Sequence, residues 1–234
     1  MPMTAPRAAE PPPGPPGRLP PAFAVPPRTL LLVEDSRLAA EAVRLICRRA
    51  GLRLRRADSL AAAAQHLRVY RPDIALIDLG LPDGSGVDLI AALARLPLRP
   101  GRLVAISGDA GRQDAALAAG ADAFLLKPVT LAGHLAALTG EAPGDWPAQA
   151  EVSRERNAGA DPLALRDDLR RARALLDGPD QPGHLHYAGQ FLASVGQALH
   201  DPTMARAALA AARAGDRGSL VALVQAKAAR TPMI

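Results

Sequence analysis

The stretch IALIDLGLPDGSG, residues 74–86, places an aspartate at the end of a short apolar run and follows it with a loop rich in glycine and proline. A short apolar run bounded by turn residues is typical of a strand that is buried on both faces of a sheet. Asp78 therefore lies where such a strand leaves the core. Other apolar runs in the chain also end in polar residues, and they extend the pattern in both directions.

Short apolar runs alternate with amphipathic stretches between residues 28 and 138. The runs are 30–33, 52–54, 74–77, 103–106 and 123–126, and the stretches with helical spacing are 36–50, 59–70, 87–95, 110–119 and 130–138. Four of the runs are apolar throughout, whereas LRLR at 52–55 alternates and is expected at an edge of the sheet. Alternating strands and helices predict an α/β fold built on a doubly wound parallel sheet.

Polar residues follow four of these runs directly. Glu34 and Asp35 follow the first, Asp78 the third, Ser107 the fourth and Lys127 the fifth. In a doubly wound sheet the carboxyl ends of the strands share one edge, where ligands bind in a crevice. The sequence therefore predicts three carboxylates, one hydroxyl and one ammonium at a single place.

This set of groups indicates a chemistry. Three neighbouring carboxylates repel one another unless a cation neutralises them, and hard oxygen ligands suit Mg²⁺. A carboxylate nucleophile beside Mg²⁺ and an ammonium can accept a phosphoryl group as an acyl phosphate. Lys127 fits the ammonium because a lysine is a compact point charge for phosphate, and only Lys127 and Lys227 are lysines among the 28 basic residues.

Each residue also has an ordinary structural explanation when it is taken alone. An acidic pair can cap a helix, an aspartate can end a strand, a serine can stand in a turn, and a lysine can be a surface charge. Their joint occurrence at successive strand ends favours the functional interpretation. A calcium loop is a poorer alternative, because Gly80 and Pro82 stand where that motif needs acidic or amide side chains.

Four segments resemble, in the right order, the receiver domain of bacterial two-component response regulators. They are LLVEDS at 31–36, ALIDLGLPDGSG at 75–86, AISGD at 105–109 and GADAFLLKPV at 120–129. The resemblance covers about residues 28–138. It implies a flavodoxin-like fold with five parallel strands in the order 2-1-3-4-5.

The resemblance also implies roles for the acidic residues. Asp78 would be the phospho-acceptor. Glu34, Asp35 and Asp78 would bind Mg²⁺ together with the backbone carbonyl of Gly80.

Further roles follow from the same resemblance. Ser107 would bond to a phosphoryl oxygen, and Lys127 would pair with the phosphoryl group through a loop whose Lys–Pro peptide is often cis in this family. Phe124 stands at the position of the family's switch aromatic, and Ser107 would take part in the same switch.

The segments outside this domain have a different composition. Residues 1–27 contain runs such as PPPGPP and are predicted to be a disordered, polyproline-like tail, and residues 139–161 lose all periodicity and are predicted to be a linker. Residues 162–234 are predicted to form a small helical bundle with helices at 162–176, 184–199, 202–213 and 217–229. This bundle has a thin core of its own, so we expect it to dimerise or to dock onto the receiver domain.

The helical segment more faintly resembles a histidine-containing phosphotransfer domain. His186 is followed by Gly196 at +10, as in that family. The departures are Ala188, Gly189 and Gln190 at +2, +3 and +4, where the family has Leu, Lys and Gly. We therefore expect an exposed His186 on a bundle that serves mainly as an interaction surface.

Composition and charge limit the remaining function classes. The formal charge of +5 is spread along the chain without a dense basic block, and aromatics make up only 3%, which disfavours nucleic acid as a partner. The apolar runs are too short to span a membrane, and no secretory leader is seen, so a cytoplasmic protein is expected. The single cysteine, Cys47, excludes an internal disulfide.

These observations predict a response regulator without an independent enzymatic domain. Its partner would be a sensor histidine kinase or a phosphotransfer protein, and its helical segment would act as an interaction or dimerisation output. One alternative is a phosphorelay protein that transfers phosphate between Asp78 and His186. A DNA-binding output is a further alternative, which the neutral charge of the helical segment disfavours.

Overall fold

The computed structural model of the chain describes residues 28–128, 131–140, 161–179 and 183–231. The expectations for the tail at 1–27 and for most of the linker at 139–161 lie outside the described residues.

A parallel sheet forms the centre of the first domain. Its strands are β1 (Thr29–Val33), β2 (Arg53–Ala57), β3 (Ile74–Asp78), β6 (Arg102–Ser107) and β7 (Ala123–Leu126). Two short strands, β4 (Gly80–Leu81) and β5 (Gly84–Ser85), pair with each other in a separate hairpin. The order in the sheet is β2-β1-β3-β6-β7, with every pairing parallel, which confirms the predicted flavodoxin-like order.

Helices cover both faces of this sheet. They are α1 (Arg37–Arg49), α2 (Leu60–Val69), α3 (Gly86–Ala94), α4 (Gln113–Ala118) and α5 (Leu131–Thr139). Alternate residues of β1 point to opposite faces, so Leu30 packs in the core layer under α1 and α5, and Leu31 packs in the layer under α2, α3 and α4. Burial of both faces explains why the central strands are apolar throughout.

The two edge strands differ in how well the sequence predicted them. β2 lies at one edge, as its alternating sequence indicated, and its residues are alternately exposed and partly buried up to the buried Ala57. β7 lies at the other edge, and its Leu126 is 50% exposed. The prediction that the apolar run at 123–126 is buried on both faces is therefore wrong. Because only one neighbour, β6, covers this strand, its apolar sequence is partly open to solvent.

A hairpin aspartate fixes the loop that follows β3. Asp83 accepts hydrogen bonds from the N–H groups of Leu60 and Ala61, at 2.9 Å each, and so occupies the N-terminus of α2. The first N–H groups of a helix have no partner within the helix, and a carboxylate satisfies them well. The loop after β3 is thereby attached to the neighbouring helix.

The second domain is a bundle of helices, as predicted. Its described elements are α6 (Pro162–Asp177), α7 (His184–Ala198), α8 (Pro202–Arg213) and α9 (Arg217–Ala229). Asp161 and Asp201 cap α6 and α8, each with a proline at the first helical position. The boundaries agree with the predicted ones to within one residue.

Close packing of α7 against α8 depends on two glycines. A Cβ at Gly189 would lie 2.2 Å from the Cβ of Ala212, and a Cβ at Gly196 would lie 2.8 Å from the backbone nitrogen of Ala205. Neither position therefore has room for a side chain while the helices keep this distance.

The bundle is docked onto the first domain, as one of the two expectations had it. Leu38 of α1 is buried in the same apolar cluster as Leu165, Leu169 and Phe191 of the bundle. The docking site lies at the carboxyl edge of the parallel sheet, because α1 begins directly after the acidic residues that follow β1.

Candidate phosphorylation site

Asp78 stands at the carboxyl end of β3, the central strand of the sheet. Its Oδ1 accepts a hydrogen bond from the N–H of Gly80 at 3.2 Å, and its Oδ2 accepts one from Nζ of Lys127 at 2.9 Å. The loop returns close beneath it, since a Cβ at Gly86 would lie 2.0 Å from the carbonyl oxygen of Asp78. Only glycine fits there, which explains the residue at the eighth position after Asp78.

Lys127 joins the ends of several strands. It follows β7, and its backbone N–H donates to the carbonyl of Ser107 at 2.8 Å. Its Nζ lies 2.8 Å from Oε2 of Glu34 and 2.9 Å from Oδ2 of Asp78. Burial by itself lowers the pKa of Lys127, but the charges of Asp78 and Glu34 outweigh it and raise that pKa above its usual value. The Lys127–Pro128 peptide is cis.

The three predicted carboxylates lie together. Glu34, Asp35 and Asp78 are buried, and one oxygen of each lies within 4.8 Å of the others. Burial, with the neighbouring carboxylates adding to it, raises the pKa of Glu34 to about 8 and that of Asp35 to about 6, although Lys127 opposes both shifts. One ammonium does not offset three carboxylates, and the oxygen donors fit a hard divalent cation such as Mg²⁺.

An arginine that the sequence analysis did not single out supports the acidic pair. Nε of Arg56 donates to the carbonyl of Glu34 at 3.0 Å, and Nη2 donates to the carbonyl of Asp35 at 2.9 Å. Arg56 belongs to β2, where the alternating LRLR sequence at 52–55 had indicated only an edge strand. Its guanidinium fixes the backbone on which both carboxylates stand.

The remaining predicted residues occupy the same edge of the sheet. Ser107 ends β6, is buried, and its Oγ accepts a hydrogen bond from the N–H of Asp109 at 3.1 Å. Gly80 lies beside Asp78 through the bond described above. Phe124 is partly buried against the core layer under α2, α3 and α4. The switch role of Phe124 and the ligand role of the Gly80 carbonyl stay predictions.

Side chains of the bundle reach this group as well. Tyr187 donates a hydrogen bond to Oδ2 of Asp35, and Nη2 of Arg171 lies 3.7 Å from the same oxygen. Nζ of Lys127 donates to Oγ of Ser194 at 3.1 Å. The sequence carried no pattern that would have indicated these three contacts.

Asp168 is a residue that sequence reasoning missed although a signal existed. It lies on α6 among Leu165, Leu169 and Ala172, on the buried face of that helix. A carboxylate on an apolar face needs a partner outside its own helix. That spacing was sufficient to mark Asp168 as a contact residue.

His186 is exposed on α7, as expected. It contributes to the wall of a cavity of about 150 Å³ that is also lined by Asp78, Ser107 and Arg112. Its Nε2 lies 3.0 Å from Nε2 of Gln190. Gly189, where the phosphotransfer pattern has a lysine, faces α8 and has no room for a side chain.

Comparison with known proteins identifies the first domain. The family model of the response regulator receiver domain matches residues 30–139. Those residues are a response regulator receiver domain. The match ends at the last residue of α5, so the bundle lies outside it.

Curated relatives of this receiver domain are transcriptional regulators by name. The KDP operon transcriptional regulatory protein KdpE of Escherichia coli K12 is 32% identical over 99 residues, which cover 42% of this chain and 44% of that protein. KdpE of Mycobacterium tuberculosis H37Rv is 30% identical over 109 residues, which cover 47% of this chain and 48% of that protein. The chain therefore spans less than half the length of these relatives.

Solved structures resemble the receiver domain too. A CheY-like response regulator receiver domain from Methylobacillus flagellatus is 30% identical, and the alignment covers 45% of this chain and 91% of that chain, with a TM-score of 0.42. No helix in the part of the chain that the structure describes combines the length and the apolar content that a membrane span requires.

Proposed function

We propose that this protein is a response regulator in which Asp78 accepts a phosphoryl group from a phosphohistidine of a sensor histidine kinase. The observation that carries the proposal is the arrangement around Asp78. A buried carboxylate ends the central strand, an ammonium lies 2.9 Å from it, and two further carboxylates lie within reach of one shared cation. This arrangement supplies the nucleophile, an ammonium group and ligands for a divalent cation, and the two positive charges stabilise the transferring phosphoryl group.

The proposed step forms one bond and breaks one. A carboxylate oxygen of Asp78 attacks the phosphorus atom, the bond between phosphorus and the imidazole nitrogen breaks, and the imidazole leaves and is protonated from solvent. Lys127 holds a phosphoryl oxygen by its charge, and the hydroxyl of Ser107 donates to another. Glu34, Asp35 and Asp78 would hold Mg²⁺, which would supply positive charge for the transferring oxygens.

The acyl phosphate would change the interactions of its neighbours. A phosphoryl group adds negative charge and acceptor oxygens where Asp78 now accepts from Lys127 and Gly80. Ser107, at the end of the adjacent strand, would turn toward those oxygens. The aromatic ring of Phe124, on the next strand, would then pack differently, which gives two states of the surface formed by β6 and β7.

The bundle is the output in this proposal, and it acts through protein contacts. The named relatives are transcriptional regulators, but the family match ends before the bundle begins. The spread of charge along the chain, without a dense basic block, favours a protein partner over nucleic acid. A gel-shift assay with mixed-sequence DNA at low salt tests this choice, and salt-sensitive binding by the phosphorylated chain would contradict it.

A second candidate function rests on the position of His186. This residue and Asp78 line the same cavity, so a phosphoryl group could pass between them in a relay. Acyl phosphate is hydrolysed in base, whereas phosphohistidine is stable in base and labile in acid. Label that is stable in base, labile in acid and lost in His186→Ala would establish the relay.

The test of the main proposal is labelling by acetyl phosphate in the presence of Mg²⁺. Asp78→Asn should abolish base-labile labelling while the circular dichroism spectrum and the thermal midpoint stay close to those of the parent chain. Asp88→Asn, an exposed carboxylate on the first turn of α3, is the matched control and should label normally. Undiminished stoichiometric labelling of Asp78→Asn would overturn the assignment.

A further inference from the structure

The bundle completes the N-terminus of the receiver's first helix. Oδ1 of Asp168 accepts from the N–H of Arg37 at 2.9 Å, and Oδ2 accepts from the N–H of Leu38 at 3.1 Å and from Oγ of Ser36 at 2.8 Å. These are the first amides of α1, which have no partner within the helix, and a carboxylate there is favoured by the helix dipole. Within the described residues, the hydrogen bonds found for this carboxylate all go to the receiver.

The bundle also engages a carboxylate of the candidate metal site. Oδ2 of Asp35 accepts from the hydroxyl of Tyr187 and faces the guanidinium of Arg171 at 3.7 Å. Arg171 is itself held over the ring of Phe191, 5.7 Å from its centroid. Binding of a cation to this oxygen therefore competes with its hydrogen bond from Tyr187.

Two further contacts lie on the other side of Asp78. Ser194 accepts from Nζ of Lys127 at 3.1 Å, and Nε2 of Gln197 donates to the carbonyl of Gly108 at 3.3 Å, directly after Ser107. Residues of α6 and α7 therefore contact the ends of β1, β6 and β7, which flank Asp78. We call this set of residues, Asp168, Arg171, Tyr187, Ser194 and Gln197, the docking face.

The docked bundle closes the approach to Asp78. Asp35 is 2% exposed and Asp78 is 5% exposed, and the space left above Asp78 is a cavity of about 150 Å³ that α7 and α8 wall on the bundle's side. A donor imidazole on another protein has to come within about 3 Å of the acceptor carboxylate, in line with the bond that breaks. Helix α7 occupies the place that the donor protein's own surface would have to take.

We propose that the docking face of the bundle is a receiver-binding surface that acts within the same chain as an inhibitor of Asp78 phosphorylation. The inference rests on the proposed function, since it concerns access to Asp78. Phosphorylation takes place in the fraction of molecules whose bundle has left the site, and the phosphorylated receiver disfavours the return of the bundle. The two events are coupled because they use the same groups, Asp35 and Lys127, so each weakens the other by the same factor.

Release of the bundle would free its output surface. Once it has left the receiver, the docking face presents a carboxylate, a guanidinium and a phenol to solvent. The apolar side chains of the bundle that surround Leu38 in the docked state become exposed with them. A mixed polar and apolar interface of this kind is typical of domains that separate and return.

The first measurement reports docking without a metal or a phosphodonor. Amide exchange is followed by NMR at Arg37 and Leu38, whose N–H groups donate to Asp168. Tyr187→Phe removes a hydroxyl that touches neither amide, and it should accelerate their exchange about tenfold, the change expected for loss of a hydrogen bond to a charged group. Mg²⁺ with beryllofluoride, a mimic of the phosphoryl group, should accelerate the same amides in the parent chain.

The second measurement reports the consequence for phosphorylation. Asp168→Ala should raise the initial rate of Asp78 labelling by acetyl phosphate about tenfold at saturating Mg²⁺, because docking loses a charged acceptor. Asp177→Ala, on the same helix, is the control. Asp177 pairs with Arg173 of α6 and makes no contact with the receiver in this pair. The rate of Asp78 labelling in Asp177→Ala should therefore stay within about twofold of the rate in the parent chain.

The outcomes separate this inference from the proposed function. Faster labelling of Asp168→Ala and Tyr187→Phe, together with faster exchange at Arg37 and Leu38 in Tyr187→Phe, supports inhibition by the bundle. Equal labelling rates in the parent chain and in both variants would overturn it and leave Asp78 as the acceptor. Absence of label from the parent chain and from both docking variants would instead overturn the assignment of Asp78.

Discussion

Both halves of this chain bury carboxylates, but the two settings are opposite. The receiver gathers Glu34, Asp35 and Asp78 around one ammonium, and their burial raises the pKa of the first two. The bundle buries Asp168 against N–H groups, whose hydrogen bonds oppose the rise in pKa that burial causes. Clustered carboxylates repel one another and are stabilised by a bound cation, whereas a single carboxylate at the N-terminus of another domain's helix holds the two domains together.

The two lysines of the chain give the largest contrast between the halves. Lys127→Met should destabilise the metal-free chain by about 4 kcal/mol, because it leaves the buried carboxylates of Glu34 and Asp78 without their counter-charge. It should also lower the rate of Asp78 labelling by at least about 100-fold. Urea unfolding and acetyl phosphate labelling measure the two effects.

Lys227→Met is the matched control in the bundle. Nζ of Lys227 lies 3.1 Å from Oδ2 of Asp201, and both side chains are partly exposed. A pair of this kind contributes about 0–1 kcal/mol, so the midpoint of unfolding should move little. Equal losses for the two substitutions would contradict the picture of a charge-dependent receiver and a bundle held by apolar contacts.

Two glycines, one in each half, test how closely the receiver and the bundle are packed. Gly86→Ala places a Cβ 2.0 Å from the backbone of Asp78, and Gly189→Ala places one 2.2 Å from Ala212. Each should cost about 3 kcal/mol, since backbone has to move in both cases. Amide exchange should show the loss in the receiver strands for Gly86→Ala and in α7 and α8 for Gly189→Ala.

The location of the loss is the critical result for these two variants. If Gly189→Ala loosened β3 and β6 as strongly as α7, the two halves would unfold as one unit. Among the described buried residues, Leu38 is the one receiver residue in the bundle's core cluster, and the receiver has core clusters of its own, which predicts the opposite.

The stability of the metal-free chain should fall as the pH rises from 5 to 8. The pKa of Asp35 is about 6 in the folded state, above its usual value, so the folded chain binds more protons than the unfolded chain in this range. Stability from such a group is complete below its unfolded pKa and is lost as the pH rises through its folded pKa. The raised pKa of Glu34 continues the loss toward pH 8. We expect the decrease to continue across the whole range, because the two carboxyl groups lose their protons in succession.

Magnesium should reverse this loss. The cation binds the ionised carboxylates, so 10 mM Mg²⁺, roughly a typical working concentration, should raise the thermal midpoint more at pH 8 than at pH 5. Asp35→Asn should flatten the pH dependence and raise the metal-free midpoint at pH 8, because one of three like charges is removed. A midpoint that rises from pH 5 to pH 8 without metal would contradict the prediction.

Adjacent aspartates of α6 provide the smallest effect. Asp167 pairs with Arg37 at the surface, whereas its neighbour Asp168 is buried at the N-terminus of α1. Asp167→Ala should change stability by less than about 0.5 kcal/mol and leave labelling unchanged, because exposed ion pairs contribute little. Thermal melts of Asp167→Ala and Asp168→Ala, measured side by side, test whether the interface depends on Asp168 and not on Asp167.

Local patterns were sufficient to predict the sheet and the helices. The strands of the receiver are apolar because both faces are covered, and that periodicity survives in the sequence of β1, β3 and β6. The bundle helices were equally visible, since Asp161 and Asp201 stand before prolines at their starts. The partial exposure of β7 was not visible in its own apolar sequence, and only the strand order implied by the family resemblance placed this strand at an edge.

The candidate site was predictable in part for the same reason. Glu34, Asp78 and Lys127 follow strands directly, so the topology alone brings them together. Tyr187 and Ser194 reach the site through the relative placement of two domains, which no local periodicity encodes. Arg56 acts through backbone carbonyls, and the sequence does not show which carbonyls face a long side chain.

Leu38 has a consequence for how this chain can be divided. It belongs to the receiver by sequence, yet it is 5% exposed because the bundle's apolar cluster surrounds it. A cut after residue 140 would expose this leucine and uncover the first amides of α1 at the same moment. The border of the folded unit therefore differs from the border of the family match, which ends at residue 139. A receiver domain produced without its bundle would carry an exposed apolar patch beside Asp78 and would tend to associate through it.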